Sequence, residues 1–231
     1  SELGLSFGLA MISILIGLVI AGIIYGKTHR IEQFAITFSN VAFFGIPLVS
    51  GLLGNEYVTY LSTFILAFNL LIWTVGLFLV TGDRSVMSLS KFFKTPAFIG
   101  MALGFILFVS PIKLSGFIQQ SVASISAINT PIAMLLLGTY LAKSELIDIF
   151  KNKHVYAIAF LRLILIPMIV FGLLSLLPNL QAEIRLVILI ATSAPTATTL
   201  AIFSQKYGDD YTYGAQIISF TNIMCLFTIP I

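Results

Sequence analysis

The residues best able to do chemistry in this chain are small, polar and set beside prolines. Ser39-Asn40-Val41-Ala42-Phe43-Phe44-Gly45-Ile46-Pro47 is one such stretch. Ala191-Thr192-Ser193-Ala194-Pro195-Thr196 is another, with Thr198 and Thr199 just beyond it. A proline lacks a backbone N–H and clashes with the preceding turn, so it interrupts a helix. It also suits the first position of the next helix. Pro47 and Pro195 are therefore each expected to start a half-helix. The N-terminus of a helix carries about half a positive charge and unbonded N–H groups. Such an end holds an anion without any basic side chain, and more firmly in a low dielectric than in water. Ser39, Asn40, Gly45, Ser193 and Thr196 flank the two breaks, placed to hydrogen-bond a carboxylate or to cap freed carbonyls. Small polar residues also bind membrane helices to one another, and both roles stay open for Thr198 and Thr199. Asn40 is the stronger candidate, because a buried amide needs partners. Asn129-Thr130-Pro131 interrupts a further apolar stretch, and either faces the same cavity or kinks its helix.

Other chemistries find little material. A nucleophile needs a base within reach, and His29 and His154 lie far from both breaks, as do the acids. One cysteine, Cys225, makes neither a disulfide framework nor a metal set, so no catalytic group, cofactor or metal is expected. No basic stripe interleaved with aromatics suggests nucleic acid as a partner. The acidic residues all fall in loops or near helix ends. Carboxylates inside a membrane usually mark ion or proton pathways, so no carboxylate relay is evident. Arg162 is the clear charge inside a span. Its position near the cytoplasmic end suits a side chain that snorkels to the interface, in a structural or lipid-facing role, with contact to a substrate as the alternative.

The elements that must position these residues are membrane helices. The chain is 58% hydrophobic and 9% charged over 231 residues, where a soluble domain carries about 25% charge. Its mean hydropathy is +1.07. A span needs roughly 20 apolar residues, and about eight stretches qualify. They run near 5–25, 34–53, 58–80, 96–109, 117–141, 155–177, 184–203 and from 212 onward. Lipid offers the backbone no hydrogen-bond partner, so each is expected to be helical. Alternate loops divide the basic residues unequally. Lys27, Arg30, Arg84, Lys91, Lys94, Lys143, Lys151, Lys153 and Lys206 fall on one side, and Lys113 and Arg185 on the other. The positive-inside rule makes the first side cytoplasmic and puts Ser1 outside.

The two proline stretches are also alike in context. Each precedes a glycine-bearing loop and then a span, one with Phe68-Asn69-Leu70-Leu71 and the other with Phe220-Thr221-Asn222-Ile223. By the topology above they run in opposite directions. Interrupted spans at matching places in inverted halves point to a transporter's binding site.

Three segments in register resemble the auxin efflux carrier family, in particular its bacterial members. They are Ser39 to Leu48 with Gly54-Asn55-Glu56; Pro131-Ile132-Ala133-Met134-Leu135-Leu136-Leu137-Gly138-Thr139-Tyr140-Leu141-Ala142; and Ser193-Ala194-Pro195-Thr196-Ala197 through Tyr207-Gly208 to Ile229-Pro230. The resemblance implies an all-α membrane fold of ten spans in two inverted repeats, of which about eight are seen here and the first two would be missing. Residues 1–81 would complete the first repeat, 82–95 form a cytoplasmic linker and 96–231 form the second repeat. It further implies two broken helices crossing at Pro47 and Pro195, with substrate bound beside the crossing and a transport domain moving like an elevator against a scaffold. Asn129 and Pro131 would lie on the scaffold face of that site. Plant members export the auxin carboxylate, and bacterial relatives are thought to carry malate, malonate or similar acids. The expected function is therefore carriage of small organic anions across a bacterial inner membrane, by a homodimer when complete. A sodium-coupled carrier of related architecture and a non-transporting membrane sensor are the alternatives.

Overall fold

The computed structural model describes residues 2–26, 28–83, 96–110, 114–142, 150, 152–207 and 210–228. Most of the expected linker, Gly208 and Ile229-Pro230 lie outside the described residues. Every named element is helical. The order is α1 (Glu2–Tyr25), α2 (Arg30–Thr37), a π turn (Val41–Gly45) running into α3 (Ile46–Leu52), a 3-10 turn (Asn55–Tyr57), α4 (Val58–Leu71), a second π turn (Ile72–Gly76) and α5 (Leu77–Thr81). After these come α6 (Pro96–Val109), α7 (Gly116–Ala142), α8 (Lys153–Phe160), a third π turn (Leu161–Leu165), α9 (Ile166–Ser175), α10 (Ala182–Ser193), α11 (Thr199–Tyr207) and α12 (Tyr211–Thr228).

Among the described residues, three continuous helical stretches are long and apolar enough to cross a membrane: Glu2–Tyr25, Asn55–Thr81 and Lys153–Ser175. Their outer faces carry bare aliphatic and aromatic side chains, such as Ile23, Met168 and Phe171. Water would penalise that surface and lipid does not, so the chain is an integral membrane protein. Between helices in lipid, close packing and hydrogen bonds replace the hydrophobic drive.

The π turns have local causes. Pro47 and Pro167 each stand just after one. A proline ring clashes with the carbonyl four residues earlier and cannot donate to it. Phe43 and Leu163 are those residues, and each lies within the π turn. The wider i→i+5 turn re-spaces the ladder, so neither proline breaks its helix. Pro131 likewise sits inside α7, which runs unbroken from Gly116 to Ala142. The expected interruption at Asn129-Thr130-Pro131 is therefore absent. Membrane helices tolerate proline when neighbouring groups take up the freed carbonyl.

The true breaks lie elsewhere. α2 stops at Thr37 and α10 stops at Ser193, and each continues as a new helix after a short extended segment. α10 packs on the Val41–Leu52 helix while α11 packs on α2, so the broken helices cross as an X. Every residue of α2 after Arg30 is buried. Beside it Phe34, Phe38, Phe68, Trp73 and Phe203 form a chain of ring contacts, with centroids 4.8 Å apart for Phe34–Phe38 and 5.1 Å for Trp73–Phe203.

The second π turn, at Ile72–Gly76, contains no proline. Gly76 faces this ring cluster: a Cβ there would stand 3.0 Å from Phe34 Cε2 and 3.2 Å from Phe38 Cε2. Gly76→Val should therefore lower stability by about 1–3 kcal/mol through overpacking, seen as a lower melting temperature in detergent. Gly22→Val, with nothing within 4 Å of its Cβ, should leave the melting temperature unchanged.

Candidate functional site

The two breaks meet and hydrogen-bond. Ser39 and Thr196 form an isolated antiparallel bridge. The Asn40 N–H donates to Pro195 O at 2.7 Å, and the Ala197 N–H donates to Phe38 O at 2.9 Å. Each extended segment thereby satisfies groups that the other exposes, which lipid could not do. Thr196 strengthens the join. It is fully buried; its hydroxyl donates to Ala35 O at 3.0 Å and its N–H donates to the Thr221 hydroxyl at 3.3 Å.

Four helix ends converge here. The C-terminal ends of α2 and α10 present free carbonyls and partial negative charge, while the helices beginning at Val41 and Thr199 present free N–H groups and partial positive charge. The carbonyls are held by Arg162. Its Nη1 donates to Ile36 O at 3.0 Å, its Nη2 to Thr192 O at 3.0 Å and its Nε to Ala194 O at 3.2 Å. The residue is 2% exposed. It does not snorkel to an interface: carbonyls at depth compete better for the guanidinium than distant water, and its fork reaches three of them at once.

Asn40 immediately precedes the Val41–Leu52 helix. It is 5% exposed, and its Nδ2 is buried without a partner. A buried donor left open costs about 1–3 kcal/mol, so a native structure keeps one chiefly where something else completes it. Two further buried oxygens lack partners nearby in sequence to groups at the crossing: Thr37 Oγ1 at the end of α2, and Asn222 Oδ1 beside Thr221.

Of the residues singled out in the sequence, the structure brings Ser39, Asn40, Pro195 and Thr196 together at the crossing, with Ser193 closing α10 beside them. Pro195 lies in a break but does not start the next half-helix, which begins only at Thr199. Pro47 does not start its half-helix, because the break lies at Phe38–Asn40 and the helix has already resumed at Val41. Pro47 is exposed on the following turn. Gly45 is buried against α4, where its Cβ would meet Leu61 at 3.3 Å, so close packing accounts for it. Asn129 and Pro131 sit on α7, which packs against α12. Pro131 is exposed, and the Asn129 side chain lies outside the described residues.

Sequence reasoning allowed Arg162 a structural role but missed its burial and its partners. The signal was present, since an ionisable residue within a span is rarely idle, but its acceptors are main-chain atoms that leave no trace in residue types. Glu32 was also undervalued. Though in the first turn of α2 it is buried, and the Tyr213 hydroxyl donates to its Oε1 at 3.3 Å. It borders a hollow of about 440 Å³ with Thr28, His29, Arg30 and Val80, apart from the crossing.

Thr196→Val keeps the shape but orphans the buried Ala35 carbonyl from its side-chain donor. It should cost about 1–2 kcal/mol, read from thermal or denaturant unfolding, and Thr196→Ser should recover most of the loss.

Comparison with curated proteins finds no match to the chain. The family described as membrane transport protein matches residues 3–88 and 83–231. That is nearly the whole chain, and the matched residues include both breaks and Arg162. A membrane-embedded crossing of two interrupted helices is the arrangement a transporter uses for its binding site, and with this match the chain belongs to the membrane transport protein family of auxin efflux carriers.

Proposed function

We propose that this transporter carries small organic anions, carboxylates above all, at the crossing of its two broken helices. The observation that carries the reading is Asn40: a buried amide whose Nδ2 has no partner, at the start of the Val41–Leu52 helix. It adds a side-chain donor to the partial positive charge of that helix end. A carboxylate accepts from an amide and from backbone N–H groups together, and such charge-assisted bonds are the strong ones. Ser193 and the Thr199 end supply donors from the second broken helix. Pro195 and Thr196 hold the backbone of the site in place, and Gly45 with Pro47 sets the course of the first half-helix beyond it. Asn129 and Pro131, on α7, are assigned to the wall past which the site moves.

Alternation of access by an elevator-like shift follows from the same reading. The broken helices are tied to each other through backbone bonds, and a unit so tied moves as one body. On this reading the protein works as a multi-pass carrier of a bacterial inner membrane, as a homodimer.

Binding is tested by thermal shift of the detergent-solubilised protein against mono- and dicarboxylates. A ligand at 100 times its Kd should stabilise the fold by about 2.7 kcal/mol. Asn40→Ala should weaken binding about tenfold, the worth of one hydrogen bond to a charged group. Asn40→Asp should abolish it by like-charge repulsion. Unchanged affinity in both variants would sink the site assignment, and a panel with no stabilising carboxylate would sink the anion reading.

A further inference from the structure

The C-terminal ends of interrupted helices and the carbonyls freed beside them are where broken-helix carriers seat a monovalent cation. In this chain such carbonyls come from both broken helices: Ile36 from the last turn of α2, Thr192 from the last turn of α10 and Ala194 just beyond it. All three already accept hydrogen bonds, at 3.0–3.2 Å, from one guanidinium. That guanidinium belongs to neither broken helix. Arg162 arrives from the π turn of the Lys153–Ser175 stretch, and its three partners are main-chain carbonyls rather than carboxylates.

The charges balance. Each helix C-terminus is equivalent to about −0.5 elementary charge and each N-terminus to about +0.5. Two C-terminal ends facing Arg162 therefore come close to neutral. The two N-terminal ends are left with about +1 in total for whatever binds beside Asn40. Without Arg162 the four ends would cancel one another, and an anion would gain little from them.

We propose that Arg162 is a resident cation: it fills the crossing's cation seat permanently, so that the site accepts its anion without a soluble coupling cation. This rests on the anion reading for what the site binds, and on the carbonyl geometry alone for what it excludes. Arg162 acts as a positioning residue. It touches the backbone that shapes the site and leaves the helix N-termini uncancelled.

The test compares wild type with Arg162→Ala, Arg162→Gln and Arg162→Lys in detergent. Melting temperature is read in choline chloride, NaCl, KCl and millimolar guanidinium chloride at equal ionic strength. Wild type should be indifferent to the cation. Arg162→Ala should melt lower and recover part of the loss with guanidinium or Na⁺, while Arg162→Lys should lose less and respond less. Should Arg162→Ala fail to fold, Arg162→Gln decides. It keeps hydrogen-bond donors without the charge, so stabilisation by Na⁺ or guanidinium supports a cation seat. A Gln variant that melts like the Lys variant and ignores every cation overturns the proposal, as does specific stabilisation of wild type by Na⁺. Carboxylates are then added to wild type with and without Na⁺. An affinity that needs Na⁺ also overturns the proposal. A wild type that binds no carboxylate sinks the anion reading alone and leaves the cation arms to stand or fall by themselves.

Discussion

Backbone polar groups in a membrane need partners, and lipid supplies none. An unbroken helix meets that demand by itself. A helix interrupted at depth does not, and this chain interrupts two. The fold depends on how those two debts are made to cancel. The break at Phe38–Asn40 and the break at Ala194–Ala197 are laid antiparallel, so each offers the donor or acceptor the other lacks. What the bridge leaves over is mostly carbonyl, and Arg162 with the Thr196 hydroxyl take it. The Asn40 amide is left as a buried donor without a partner.

The surroundings serve that crossing. α2 is short enough to be buried on all sides, and the aromatic cluster of Phe34, Phe38, Phe68, Trp73 and Phe203 fills the space beside it. Gly76 lacks a side chain where those rings need room. At its N-terminal end Glu2 accepts from the Tyr60 hydroxyl at 2.6 Å and from Gln181 at 2.5 Å, tying α1 to α4 and to the start of α10. These contacts bear on helices that flank the crossing rather than on the crossing itself. They hold its frame still while leaving its polar centre undisturbed.

The helical membrane character was legible because composition and run length decide it. The residues of the two breaks were legible too, since Ser39-Asn40 and Ser193-Ala194-Pro195-Thr196 are polar interruptions in apolar runs. The position of the first break was not. Proline is the obvious local signal for an interruption, yet Pro47 and Pro167 follow π turns that absorb their cost, and Pro131 lies within a continuous helix. What ended α2 was instead the pairing of Phe38–Asn40 with a segment more than a hundred residues away, and no local propensity encodes that. Arg162 failed for a related reason. Its distance from the span's end suggested an interface, but its partners are carbonyls of other helices, whose positions follow only from the crossing.

The π turn at Leu161–Leu165 carries a consequence for sequence change. A π turn amounts to one residue added to an α-helix, and each residue of an α-helix turns the next by about 100°. Deleting one residue from 163–165 would restore a regular α-helix there, with the turn still apolar apart from Arg162 and the span still long enough. Every side chain on one flank would nevertheless be rotated relative to the other, and the guanidinium would be swung from the carbonyls toward lipid or a neighbouring helix. Substitutions along this stretch are graded in their effect. Insertions and deletions are not, because the helix acts as an indexing shaft with one tooth cut to fit the crossing.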